Sequence, residues 1–192
     1  MTRQGFYYDQ TRCVGCKTCQ ISCKDVNGLA LGKLFRRVAS YETGSFPTPS
    51  TFHFAATCNH CAKPACVAVC PVSSMYKDKA DGTVQHDDLL CIGCQYCVKA
   101  CPYGNPKYLE DIMVVHKCDA CLQLRQAGEQ PACVAGCPAR ALEFGPFDEL
   151  LALHPDAVFD LPLLPDSKAT EPSLLIKARH SALAGEYREM LT

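Results

Sequence analysis

Sixteen of the 192 residues are cysteine, and they fall into four compact quartets. The third, Cys91-x2-Cys94-x2-Cys97-x3-Cys101-Pro102, has the most demanding spacing. Three thiolates this close in sequence can wrap one face of an iron–sulfur cube, and a fourth placed before proline serves a different cluster from the first three. Iron–sulfur chemistry requires soft, deprotonated sulfur ligands, and each quartet supplies them. Gly93 lets backbone N–H groups turn towards the sulfurs with no Cβ in the way.

The other three quartets vary this theme. The first is Cys13-x2-Cys16-x2-Cys19-x3-Cys23, followed by Lys24 instead of proline. The second, Cys58-x2-Cys61-x4-Cys66-x3-Cys70-Pro71, has two extra residues around the bend Lys63-Pro64. The fourth is interrupted: Cys118-x2-Cys121, a segment from Leu122 to Ala132, then Cys133-x3-Cys137-Pro138. A Cys before Pro is pushed to extended conformation, which turns the chain away from the site after the last ligand. Disulfides would bridge distant elements, not group in this way. Zinc is the competing metal, and a structural zinc-binding protein is the alternative of another class. Zinc sites pair two Cys-x2-Cys knuckles across a longer gap, whereas a third Cys at x2 and a fourth at x3 before proline have no tetrahedral rationale. A brown protein with broad visible absorbance separates the two metals, since a zinc protein is colourless.

The elements that must position these ligands are short. Gly5 to Asp9 reads as a strand, and Leu34 to Ser40 and Thr51 to Thr57 read as two more around the turn-rich Thr43 to Pro49. The Cys-free stretch from Lys24 to Thr57 reads as an insertion, either a surface hairpin or a docking surface for a partner. Met75 to Lys77 and Thr83 to His86 flank Ala80-Asp81-Gly82 as a hairpin, and Pro102 to Pro106 stops any helix after the third group. Leu122 to Gly128 reads as a helical turn or two, Ala141 to Gly145 as a closing strand, and Asp148 to His154 as a short helix. Beyond it, Leu174-Leu175-Ile176 is the apolar cluster of a Pro-broken tail.

The expected fold is therefore α+β and loop-rich: two ferredoxin-like units in pseudo-two-fold relation, with an inserted hairpin and a C-terminal tail. Residues 1–57 and 103–146 form an outer unit, with inserted strands at 34–57, and residues 58–102 form an inner one. Residues 147–192 form a C-terminal tail. Elements this short cannot bury enough surface alone, so bound metal must act as core, and its removal should unfold the chain.

Charge narrows the function. The formal net charge of −1 counts every Cys as neutral. Four clusters with their thiolates, each contributing roughly two negative charges, take the total to about −9. With 19 basic residues spread along the chain, no basic face argues for nucleic-acid binding. Met1 to Asp9 lacks the basic and apolar regions of a signal peptide, and no run is long and apolar enough to span a membrane. Arg36-Arg37 lies inside the chain with no apolar run after it, and reads as strand surface, not as a twin-arginine signal. There is no nucleophile–base pair and no nucleotide loop, so the chain carries no catalytic apparatus of its own.

Other polar residues have simpler roles. His60 lies between two candidate ligands and should hydrogen-bond near the cluster, while His53, His86 and His116 fall on strands and read as structural. Tyr96 and Tyr103 flank the third group and should pack against the site. Arg12, Lys17, Lys63, Lys99, Lys117 and Arg140 either offset cluster charge and raise reduction potentials or stand as solvated side chains.

At this point the sequence resembles the B-type iron–sulfur electron-transfer subunits of the dimethyl sulfoxide reductase family. The resemblance covers most of the chain: Asp9-x3-Cys13-x-Gly15-Cys16-Lys17-Thr18-Cys19, Phe35-Arg36-Arg37, Cys58-Asn59-His60-Cys61, Pro64-Ala65-Cys66, Cys91-Ile92-Gly93-Cys94-x-Tyr96-Cys97, Ala100-Cys101-Pro102-Tyr103-Gly104, Lys117-Cys118-Asp119-x-Cys121 and Ala141-Leu142-x-Phe144-Gly145-Pro146. The nesting of the groups, together with this precedent, gives four ligand sets: Cys13, Cys16, Cys19 and Cys137; Cys58, Cys61, Cys66 and Cys101; Cys91, Cys94, Cys97 and Cys70; Cys118, Cys121, Cys133 and Cys23. Within the wider family, nitrate reductase relatives carry Trp at the position of Cys94 and a three-iron cluster there, so Cys94 implies four [4Fe–4S] clusters.

The resemblance also implies partners. Such subunits relay electrons from an integral-membrane, quinol-oxidising anchor to a molybdopterin catalytic subunit, with the Cys13 cluster nearest the molybdenum. Related subunits of polysulfide, thiosulfate and tetrathionate reductases, formate dehydrogenases and hydrogenase complexes share the Cys pattern and are the alternative. A peripheral place on a membrane complex follows, with the periplasmic face favoured through a partner's twin-arginine signal and the cytoplasmic face as the other option.

Overall fold

The structure, a computed structural model, describes residues 3–191. The leader reading that includes Met1 and Thr2, and the last residue of the tail, Thr192, lie outside the described residues. Small sheets and very short helices alternate in the order β1 (Gln4–Asp9), α1 (Thr18–Val26), β2 (Arg37–Thr43), β3 (Ser50–Ala56), α2 (Ala65–Ala68), β4 (Met75–Lys77), β5 (Val84–His86) and α3 (Tyr96–Ala100). They continue as β6 (Lys107–Leu109), β7 (Val114–His116), α4 (Leu122–Gln126), α5 (Ala132–Ala135), β8 (Leu142–Pro146), α6 (Phe147–Leu153), β9 (Leu174–Lys177) and β10 (Arg188–Glu189).

β1 is the centre of a three-stranded sheet, antiparallel to β8 and parallel to β9. Its aromatic run is buried on both faces, as strand alternation requires of a covered central strand. Phe6 and Tyr8 face the core that contains Cys19, Cys133 and Cys137, while Tyr7 packs with Phe147, Leu150 and Leu175 on the other side. β9 is built from Leu174-Leu175-Ile176, so the C-terminal segment is woven into the sheet and is not a loose extension. Leu175 is fully buried beneath α6, and Leu175→Ala should cost about 2–4 kcal/mol in a denaturant titration of the cluster-loaded chain.

β2 and β3 pair in register from Arg37 with Ala56 to Thr43 with Ser50. The expected strands at 34–40 and 51–57 are thus present but shifted, the first by three residues at each end and the second by one. Nor is this hairpin a bare surface feature. Val38, Phe54 and Ala55 belong to the main core, and β10 covers the edge of β2, with Tyr187 edge-on to Tyr41 and Phe52. The reading of Arg36-Arg37 as strand surface holds for Arg37 alone. Arg36 precedes β2 and is buried, because the chain enters the strand with that side chain turned inward.

Hairpins β4–β5 and β6–β7 occupy the part of the chain around the second and third quartets. Helix α2 packs on α3, and α1 packs on α5. An internal repeat underlies this two-fold pattern. Pro64 to Ala68 and Pro131 to Ala135 have the same five residues, each proline leading into a four-residue helix. Likewise α1 and α3 follow a Gly at positive φ (Gly15, Gly93) and a left-handed N-cap (Lys17, Gln95). The two halves are tied together by the Arg125–Asp81 ion pair at 2.6 Å, by Gln85 Nε2 donating to the Asp119 carbonyl at 3.1 Å, and by Lys117 Nζ donating to the Val84 carbonyl.

Candidate iron–sulfur centres

The short helices explain how one quartet reaches two places. In each Cys-x3-Cys pair the two residues stand about one helical turn, roughly 6 Å, apart along the axis. Cys19 and Cys23 both lie on α1, while Cys66, Cys97 and Cys133 start from helices whose partners Cys70, Cys101 and Cys137 follow the last turn. The helix pairs α1–α5 and α2–α3 therefore stand between neighbouring sites, with a thiol delivered to each side.

Three cavities are lined by four cysteines each. Cys13, Cys16, Cys19 and Cys137 line one, with Tyr8, Val38 and Lys17. Cys58, Cys61, Cys66 and Cys101 line the second, with Tyr103, Lys117 and Thr170. Cys70, Cys91, Cys94 and Cys97 line the third, with Met75, His86 and Tyr96. Cys23, Cys118, Cys121 and Cys133 are all buried, and burial first, then the closeness of Cys118, Cys133 and Cys121, pushes the Cys23 thiol up. All sixteen thiols are free of disulfides.

The donor set fits sulfur-rich clusters. Backbone N–H groups of Met75, Val115, Ala120 and Ala141 donate to Cys70, Cys91, Cys118 and Cys137 Sγ at 3.5, 3.5, 3.3 and 3.3 Å. Thr18 Oγ1 donates to Cys16 Sγ at 3.3 Å and Asn27 Nδ2 to Cys23 Sγ at 3.7 Å. Hydrogen bonds to sulfur of this kind favour the charged ligand and tune potential. His60 Nε2, His86 Nε2 and Arg36 Nε and Nη2 are buried without a partner in the protein, and a buried polar group needs one.

Burial raises half of the sixteen thiols. It pushes Cys19 and Cys97 up to about 11 and Cys66, Cys118 and Cys121 up to about 12, and neighbouring thiolates add to the effect. Cys16 goes the other way, lowered first by the Thr18 hydroxyl. Metal-free, these raised thiols are protonated at neutral pH, so loading them must expel protons.

The loop glycines are required by shape. A Cβ on Gly93 would lie 2.5 Å from the Met113 carbonyl oxygen, and one on Gly15 would lie 2.6 Å from the His53 ring, both at positive φ. Gly93→Ala should cost about 1–2 kcal/mol in backbone strain alone, and iron analysis of the purified variant should show the third site depleted.

The remaining sequence expectations divide. His53, His86 and His116 do lie on strands, at β3, β5 and β7. His86 and His116 both bond Asp88, at 2.7 and 2.8 Å. His60 accepts from the Val84 N–H at its Nδ1, 3.0 Å, which leaves Nε2 as the N–H. Tyr96 and Tyr103 each line a cysteine cavity. Of the six basic residues, Lys17 and Lys117 line cavities, Arg12 pairs with Asp9 at 3.6 Å, Lys63 pairs with Glu171 at 2.6 Å, and Arg140 donates to the Ala135 carbonyl at 3.1 Å. Lys99 is exposed. Thr18 and Asn27 were legible as polar neighbours of ligands, whereas Thr170, whose side chain partly offsets the rise that burial gives the Cys61 thiol, is too distant in sequence to be linked to it.

Fold and cysteine geometry define a ferredoxin-like iron–sulfur protein. Residues 50–147 match the 4Fe-4S dicluster domain family, and residues 10–28 match a 4Fe-4S binding domain. The chain is 42% identical over 184 residues to the B-type chain of anaerobic dimethyl sulfoxide reductase from Escherichia coli (strain K12), covering 92% of this chain and 89% of that one. It is 39% identical over 196 residues to the Haemophilus influenzae counterpart of that chain, with 97% and 95% covered. It is also 38% identical over 166 residues to the B-type subunit of sulfite dehydrogenase from Allochromatium vinosum, with 76% and 69% covered. The protein belongs to the family of B-type anaerobic dimethyl sulfoxide reductase subunits, the iron–sulfur electron-transfer subunits of oxidoreductase complexes.

Proposed function

We propose that the chain carries four [4Fe–4S] clusters, held by Cys13, Cys16, Cys19 and Cys137; by Cys23, Cys118, Cys121 and Cys133; by Cys58, Cys61, Cys66 and Cys101; and by Cys70, Cys91, Cys94 and Cys97. In this reading, residues 1–57 with 103–146 hold the outer two and residues 58–102 the inner two. The clusters supply one-electron transfer, and the protein fixes their order, burial and hydrogen bonding.

The observation that carries a relay is the distribution of exposure. Cys16 and Cys94, in the first and third quartets, are the two exposed cysteines, while the quartets containing Cys58 and Cys118 are deeper. Each of two quartets thus presents an exposed cysteine, and in this reading these are the two ends of the relay. Both openings are rimmed with exposed apolar side chains, Val14 and Ile21 at one and Leu89, Ile92 and Met113 at the other. These rims suit a molybdopterin catalytic subunit at the Cys16 end and an integral-membrane, quinol-oxidising anchor at the Cys94 end, with dimethyl sulfoxide reduction as the terminal reaction. The tail beyond Phe147 is assigned to the catalytic partner's side.

No helix among the described residues is long and apolar enough to cross a membrane, so the chain would reach the bilayer through the anchor, on the periplasmic face. Affinity purification from anaerobically grown cells tests the reading. The expected result is a brown complex containing a molybdopterin protein and a small hydrophobic one, with about sixteen iron per copy of this chain. A colourless zinc protein, or a brown chain that purifies alone, would overturn it.

A further inference from the structure

Arg36 is only 2% exposed, yet its guanidinium has one hydrogen bond, from Nη1 to the Ala55 carbonyl at 2.9 Å. It lies over the Phe6 ring, 5.2 Å from the centroid, while Nε and Nη2 are buried with no partner. The ion pairs among the described residues do not include it. A guanidinium stays protonated in proteins, and a buried unpaired charge costs several kcal/mol. Something negative must therefore face it. The Phe6 ring it covers packs in the same core as Cys19, Cys133 and Cys137, and although burial opposes its charge most strongly, Cys133, Cys19, Cys118 and Cys23 are the groups whose negative charge as ligands would favour it. Cys19 belongs to the first quartet's cavity; the other three belong to the fourth quartet's site.

We propose that Arg36 is a positioning residue for electron transfer, a fixed buried cation between the Cys13/Cys16/Cys19/Cys137 and Cys23/Cys118/Cys121/Cys133 sites, whose unpartnered N–H groups serve the anionic sulfur of both and raise both reduction potentials. The inference rests on the four-cluster assignment. A positive charge stabilises the more negative, reduced state, so it raises potential, and the effect is larger in a dry interior than in water. Arginine suits the place better than lysine because its planar fork carries donors in several directions at once. An apolar side chain would fill the same space at lower cost if filling were all that was needed. The inner pair differs: Met75, Val84 and Val115 pack among Cys66 and Cys97, and the nearby Lys117 is satisfied by the carbonyls of Val84 and Cys118.

The test is an EPR-monitored redox titration of the purified complex carrying Arg36→Gln or Arg36→Lys, after iron analysis of each preparation. Arg36→Gln should lower two of the four potentials by at least tenfold in the reduction equilibrium, 59 mV for one electron, and leave two unchanged. Arg36→Lys, which pulls the charge back, should lower the same two by less. If Arg36→Gln fails to assemble, Arg36→Lys decides alone: a fall confined to two clusters supports the proposal. Four unshifted potentials in an assembled variant, or an equal shift of all four, overturn it. Fewer than four clusters in the unsubstituted chain overturns the assignment and this inference together.

Discussion

Stripping the iron from this chain under anaerobic conditions should abolish its cooperative thermal transition. Helices α2 to α5 have four or five residues, too short to persist by their own hydrogen bonds. Their burial depends on cysteine: Cys19, Cys133 and Cys137 belong to the main core, Cys23, Cys58 and Cys118 to a second cluster, and Cys66 and Cys97 to a third. With metal removed, those side chains become neutral thiols around voids, at a cost that rises with the volume left empty. Binding energy is here folding energy. Calorimetry and circular dichroism before and after chelation check this, and a metal-free chain that keeps a sharp transition and native-like ellipticity would contradict it.

The second large effect is expected at Cys94. Cys94→Trp should remove one iron per chain and turn the third site into a three-iron centre with a raised potential, leaving the other three clusters in place. Cys94 is one of the two exposed cysteines, so an indole there can stand in solvent without displacing core. Loss of one ligand at the rim leaves Cys70, Cys91 and Cys97 on their own elements, with the N–H groups of Met75 and Val115 still aimed at sulfur. Electron delivery through that end should fall at least tenfold, about 1.4 kcal/mol in barrier. Iron analysis, EPR and turnover of the intact complex read the outcome. Four intact cubes with normal turnover would sink the assignment of Cys94 as a ligand.

Much of the candidate site was legible because cluster ligation is a local constraint. Cys-x2-Cys-x2-Cys places three thiols on one loop whatever the rest of the chain does, and Gly15 and Gly93 mark the left-handed turn those loops need. The repeat of Pro-Ala-Cys-Val-Ala at 64–68 and 131–135 was equally visible and would have related the second quartet to the fourth directly. Strand limits in the β2–β3 hairpin were less legible, since its Thr, Ser and Tyr residues pair well in several registers.

The amino-acid sequence by itself determined the iron–sulfur chemistry, the four groups of cysteines and the mixed, loop-rich character of the fold, because all three follow from residue type and short spacing. Tertiary structure alone decided three things. It turned Leu174-Leu175-Ile176 into a strand beside β1, a pairing across some 170 residues that no local pattern encodes. It left Cys16 and Cys94 exposed and the other fourteen buried or half-buried, since exposure depends on what the rest of the chain covers. And it sent Arg36 inward while Arg37 stayed in solvent, because in an extended segment adjacent side chains face opposite ways and only packing chooses which of them meets the core.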